Sequence, residues 1–162
     1  MHSDFRNVLC SLLRPRFMIA MLCSLDLLSG AAYASLGGDI ESVDSDQTAL
    51  NSMEQITAST DTYTVYTLKT SSGMIIREYL SLDDKVFAVA WQGPMLPNLR
   101  LILGNFYTQY TDAARENHGD HSHLVIRRTD LVVESSGRMR AFSGRAYLPK
   151  AMPSDIAITD IK

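Results

Sequence analysis

Three histidines within six residues, His118, His121 and His123, with Asp120 among them, form the densest group of metal-ligating side chains in this sequence. Imidazoles and a carboxylate on one loop suit zinc, copper or nickel. The spacing permits convergence without requiring it, and a polar loop kept for solubility has the same composition. Asp120, His121 and Ser122 are adjacent, so they do not make a nucleophilic triad, whose parts must converge from separate elements. A second group is arginine-rich: Arg138, Arg140 and Arg145 flank Phe142 and Tyr147. Strand alternation would put Arg138 and Arg140 on one face. Such a pair can grip a carboxylate, a phosphate or a lipid headgroup, or simply meet neighbouring acids on a sheet surface. Trp91 opens the Trp91-Gln92-Gly93-Pro94 stretch and is either part of a recognition surface or a cap on the core. The candidate ligand or partner contacts are therefore Trp91, Arg138, Arg140 and Arg145, and the candidate metal ligands His118, His121 and His123.

Motifs with a stronger chemical signature are absent. The sequence contains no phosphate loop, dinucleotide fingerprint, H-E-x-x-H helix, EF-hand loop or G-x-S-x-G elbow. The paired carboxylates Asp83 and Asp84 lie in a turn, without the apolar surroundings that would raise a carboxyl pKa toward acid–base use. No catalytic residue can be assigned, and no cofactor is indicated.

The N-terminus carries an address. Arg6, Arg14 and Arg16 stand against the single Asp4, an apolar run follows from Phe17 to Leu28, and Ser29, Gly30, Ala31 and Ala32 are small. This is the order of a secretory signal peptide, and Ala32-Tyr33-Ala34 is an A-x-A cleavage pattern that places the cut between Ala34 and Ser35. The apolar run falls short of the ~20 residues that span a bilayer and holds Asp26, which disfavours an uncleaved anchor. Met21-Leu22 before Cys23 does not fit a lipoprotein signal. Residues 1–34 are thus expected to be removed, leaving residues 35–162 as one exported domain, periplasmic or secreted, with no transmembrane segment.

Both cysteines, Cys10 and Cys23, fall in the leader, so the mature domain is expected to have no disulfide, thiolate nucleophile or cysteine-based zinc site. Its stability must come from an ordinary core, which a chain of this length can bury. The leader takes three of the 15 basic residues and two of the 18 acids, leaving twelve against sixteen and a net charge of −4 with His neutral. That balance does not suggest a generic nucleic-acid binder. Residues 35–61 hold six acids and no base, while residues 127–162 hold seven bases and four acids.

These residues need elements to position them. Asp44 or Ser45 is expected to cap a short helix running to Ile56, with Leu50, Met53 and Ile56 on one side. Tyr63 to Leu68 and Met74 to Leu80, joined by Thr70-Ser71-Ser72-Gly73, read as a hairpin. After the turn at Asp83-Asp84-Lys85, every residue from Val86 to Trp91 is apolar, which predicts a central strand covered on both faces. Leu96, Leu99, Leu103, Phe106 and Tyr110 draw a stripe along a long helix, with Pro97 in its first turn and Gly104 marking a close approach to the sheet. Residues 112–123 read as a loop. Leu124 to Glu134 and Arg138 to Leu148 read as a second hairpin turning at Ser135-Ser136-Gly137. The tail from Pro149 is expected to strap onto the domain or fray. The result is an α+β domain with a mainly antiparallel sheet of about five strands, one long covering helix and a short N-terminal helix.

Three stretches carry a resemblance: Ser35-Leu36-Gly37-Gly38, the run REYLSLDDKVFAVAWQGPMLPNLRLILG from Arg77 to Gly104, and SGRMRAFSGRAYLP from Ser136 to Pro149. Together they resemble the bacterial family called domain of unknown function 2844, across nearly the whole mature chain. The resemblance implies export in a Gram-negative type of bacterium and single-domain architecture. It supplies no activity, ligand or catalytic residue, and the loop from His118 to His123 lies outside the stretches that carry it.

Three readings of function follow. The leading one is a non-enzymatic module that binds another component of the cell envelope, not a nucleic acid, through its sheet face or the turn from Trp91 to Pro97. The second is a metal-binding protein centred on His118, His121 and His123. The third is a small periplasmic hydrolase whose acids, serines and histidines converge only in three dimensions.

Overall fold

The computed structural model describes residues 36–116 and 123–162, apart from the side chains of residues 44–47. The expected leader with its Ala34–Ser35 bond, and the loop residues His118, Asp120 and His121, lie outside the described residues. The elements run α1 (Ile40–Ala49), β1 (Ser52–Ser59), β2 (Tyr63–Thr70), β3 (Ile75–Ser81), β4 (Val86–Gly93), α2 (Leu99–Leu103), α3 (Tyr107–Glu116), β5 (His123–Arg127), β6 (Val132–Arg138) and β7 (Ala141–Tyr147). A single turn of 3-10 helix joins α2 to α3, and another lies at Ile158–Asp160 in the tail. No helix among the described residues is long and apolar enough to cross a membrane.

All strands pair antiparallel in one sheet of order β1-β2-β3-β4-β7-β6-β5. The α+β character stands, but the sheet has seven strands, not about five. One extra strand is β1, which occupies residues expected to end a helix at Ile56. The helix instead lies earlier, over Ile40–Ala49, and Asn51 turns the chain out of it with φ 48°, a left-handed value that asparagine tolerates. The backbone of residues 52–59 then pairs with β2. The other extra strand arises because Leu124 to Glu134 is not continuous: Arg128 N–H bonds the Leu131 carbonyl at 2.8 Å and folds β5 back on β6.

The second hairpin also turns later than expected. Ser135, Ser136 and Gly137 lie within β6, and the turn falls at Met139-Arg140, where Arg140 takes φ 63°. Gly137 serves a different purpose there. It pairs with Phe142, whose ring atom Cε1 would lie 2.6 Å from a Cβ at that position. The glycine gives the ring room; it does not make the turn.

β4 is central and buried from Val86 through Trp91, as its continuous apolar run requires. One face of the sheet carries Leu68, Ile76, Leu80, Val89, Trp91 and Val133 against Leu99, Ile102 and Leu103. The expected long helix bends at Gly104 (φ 47°, ψ −120°) instead of running straight; the Asn98 side chain caps its start, Pro97 precedes that cap, and Leu96 is exposed. The opposite face carries Tyr79, Phe87, Ala88, Ala90, Val132 and Tyr147, covered by Ile156 and Ile161 of the tail. The tail therefore straps. Each fully buried isoleucine contributes about 1.5–3 kcal/mol relative to exposure.

Candidate functional site

Cross-strand register builds the tail-side face in rows. Arg77, Ala90, Arg145, Glu134 and Val125 align across β3, β4, β7, β6 and β5. Arg145 donates from Nε and Nη2 to Glu134 Oε2 at 3.0 and 2.6 Å, and from Nη1 to the carbonyls of Ile158 and Ile161 at 2.7 and 3.2 Å. Arg77 Nη1 reaches the Lys162 carbonyl at 2.9 Å, and the Tyr79 hydroxyl accepts from the Lys162 N–H at 3.1 Å. Burial raises the Tyr79 pKa, and its hydrogen bonding to Lys162 works against that rise. These side chains clamp the end of the tail over Ala90. Arg145, one of the candidate contacts, is thus committed to holding the fold.

One row further along, the tail no longer covers the sheet. Ile75, Gln92, Ser143, Ser136 and His123 align there across the same five strands. An open cleft of about 420 Å³ is lined by Gln92, His123, Ser136, Ser143, Arg145 and Lys162, among others. Strands lie ~4.8 Å apart, so the row presents polar side chains at regular intervals. Ser136 and Ser143 share a hydrogen bond at 3.2 Å, and Glu134 is held by Arg145 and, at 3.3 Å, by Arg127. Such a surface can hold a polar ligand by hydrogen bonds. A nucleophile would need a base aimed at it, and the serine hydroxyls here face one another.

The sequence-derived candidates scatter over this scaffold. Trp91 is 2% exposed and packs in the helix-side core, and it is also among the residues that line the cleft. Its indole lies over Gly144 on β7, where an added Cβ would be 2.6 Å from Trp91 Cε2 and 2.7 Å from the Glu134 carbonyl oxygen. Arg138 ends β6 and Arg140 sits in the turn, both exposed, so they do not share one strand face as alternation suggested. Between them Met139 is 93% exposed. His123 lines the cleft, while His118 and His121 lie outside the described residues; among the described residues, no three His, Cys, Asp or Glu side chains gather to hold a metal. Asp83 and Asp84 are exposed in the β3–β4 turn. Sequence reasoning missed Ser136 and Ser143, and the register of β4, β7 and β6 brings them beside Gln92, which lies in the Trp91–Pro97 segment singled out from the sequence.

The architecture defines an α+β protein built on one antiparallel sheet, with helices on one face and its own C-terminal strap on the other. Comparison with known proteins names the family. A family model described as "Protein of unknown function (DUF2844)" matches residues 32–161, and the chain belongs to that family. No curated protein and no solved structure matches it.

Proposed function

We propose that this chain is an exported, non-enzymatic binding module of the cell envelope, periplasmic or secreted, which engages its partner through the bare end of the tail-side sheet face. The observation that carries the reading is the unequal cover of that face. The strap through Lys162 covers the Arg77–Arg145 row, while Gln92, Ser143, Ser136 and His123 lie open among the described residues, beside the exposed hairpin tip at Arg138–Arg140. The leader-like N-terminus supports export, and the family match begins at residue 32, beside the expected Ala34–Ser35 cut. The salt-bridged Glu134 and the mutually bonded serines support binding over catalysis.

Export is tested by fractionating producing cells and sequencing the N-terminus of the recovered protein: a periplasmic or secreted chain beginning at Ser35 is expected, and an uncut cytoplasmic chain overturns it. Binding is tested by chemical crosslinking in isolated envelopes. Ser143→Trp, which fills the cleft from an exposed position, should reduce crosslinked product at least about tenfold while the melting temperature holds. Undiminished crosslinking removes the face from the reading.

A further inference from the structure

We infer that the β6–β7 hairpin tip seats the domain on an anionic phospholipid surface. This rests on the reading of the chain as an envelope-binding module and names what its bare end meets.

The first observation is the pairing of arginines. Arg115, Arg127, Arg128 and Arg145 each meet a carboxylate, Arg77 a backbone carbonyl, and Arg100 lies 5.3 Å from the centroid of the Tyr107 ring. Among the described residues, Arg138 and Arg140 have no such partner. The second is Met139, which lies between them and is the most exposed large apolar side chain described. The third is the backbone: Arg140 holds φ 63°, a value that glycine adopts at no cost and a long side chain adopts under strain. The tip thus presents arginine, methionine, arginine on a turn that holds Arg140 at a left-handed φ.

Charge is segregated along the strands in the same sense. The antiparallel order puts residues 71–74, 93–98 and 137–141 at one end of the sheet, and those segments contain Arg138 and Arg140 and no acid. The opposite end holds Asp61, Asp83, Asp84 and Asp130 in its turns against Lys85 and Arg128, each of which already meets a carboxylate, so acid is in excess there. Two further apolar side chains, Met95 and Leu96, are 51% and 47% exposed in the segment leaving β4 at the basic end. The processed domain, at the net charge of −4 expected once the leader is removed, would be repelled by an anionic bilayer as a whole; the excess acid at the far end turns that end away and the tip toward the phosphates. Guanidinium groups bind phosphate oxygens with charge-assisted hydrogen bonds, and an apolar side chain between them enters the headgroup boundary. The attachment is weak and peripheral, because so few side chains take part.

The test is sedimentation of the naturally processed protein with vesicles of phosphatidylcholine containing about one third phosphatidylglycerol, against vesicles of phosphatidylcholine alone. Binding to the first and not the second is expected, falling as salt rises. At about fivefold in affinity per basic residue, Arg138→Ala with Arg140→Ala should weaken it about thirtyfold. Met139→Asp should lose binding and Met139→Leu keep it, while Asp83→Asn with Asp84→Asn, at the far end, should not weaken it. Circular dichroism melts confirm that each variant is folded. Equal binding to both vesicle types, or undiminished binding by a folded double-arginine variant, overturns the inference. If vesicles are ignored but Ser143→Trp still reduces the envelope crosslinks, the lipid inference falls and the binding-module reading stands; if Ser143→Trp crosslinks undiminished as well, both fall.

Discussion

Replacing Gly144 by alanine tests the packing of the core at a tight cross-strand contact. Gly144 pairs with Trp91 on one side and Ser135 on the other. A Cβ there would meet Trp91 Cε2 at 2.6 Å and the Glu134 carbonyl oxygen at 2.7 Å, both well inside normal contact distance. The carbonyl belongs to a paired strand and does not yield cheaply. The indole is 2% exposed among Ile102, Leu103 and Val133, so it has little free space to enter. Overpacking of this kind costs about 1–3 kcal/mol, and with backbone on one side we expect about 3. For a domain of this size that lowers the melting temperature by about 10 °C. Thermal unfolding followed by circular dichroism reads it directly. A second variant checks the cause: Trp91→Leu removes the offending ring, so in the double variant the cost of Gly144→Ala should shrink by at least about 1 kcal/mol. A melting temperature within about 2 °C of the parent, or full additivity of the two substitutions, would refute the account of Gly144 as a seat for the indole.

Ile161→Ala should cost about 2–5 kcal/mol if the whole domain senses the cavity, but the loss is capped by the free energy of undocking the strap. Hydrogen exchange is therefore expected to quicken over residues 149–162 before the helix-side core, and uniform loss of protection would argue against two separable layers. Because burial raises the Tyr79 pKa above 10.0, the folded state keeps a proton that the unfolded chain releases. Stability should fall as pH climbs from the ordinary tyrosine value through the raised one. Tyr79→Phe should flatten that alkaline slope in urea titrations at pH 9 to 11, leaving the share due to Tyr110, whose pKa burial also raises; an unchanged slope counts against the assignment.

What could be read in advance was decided by burial. β4 announced itself because both of its faces are covered, so no polar residue interrupts Val86 to Trp91. The β2–β3 hairpin was legible from β-prone runs around a Ser-Ser-Gly turn. β1 was not, because six of its eight residues are exposed and no inward period is written into it; the spacing of Leu50, Met53 and Ile56 then imitates a helix. Gly137 misled for the opposite reason. It looks like a turn glycine, but its lack of a side chain accommodates Phe142 across the strand pair. The arginines of the tip were visible as residues, yet that Arg138 and Arg140 meet no acid among the described residues while Arg145 has one depends on register. The cleft was invisible, since Gln92, Ser136, Ser143 and His123 come from four strands and share a row only after those strands pair.

The strap also sets an order of events. Ile156 and Ile161 follow every described strand, so as the polypeptide leaves the ribosome the tail-side surface of Tyr79, Phe87 and Tyr147 stays bare until the segment from Pro149 is made. Closing the sheet waits similarly on β7, which supplies the neighbour of β4 long after β4 is made. Until the segment from Pro149 docks, the aromatic face of the sheet has no cover from the other described elements, so the two layers of the core form in sequence.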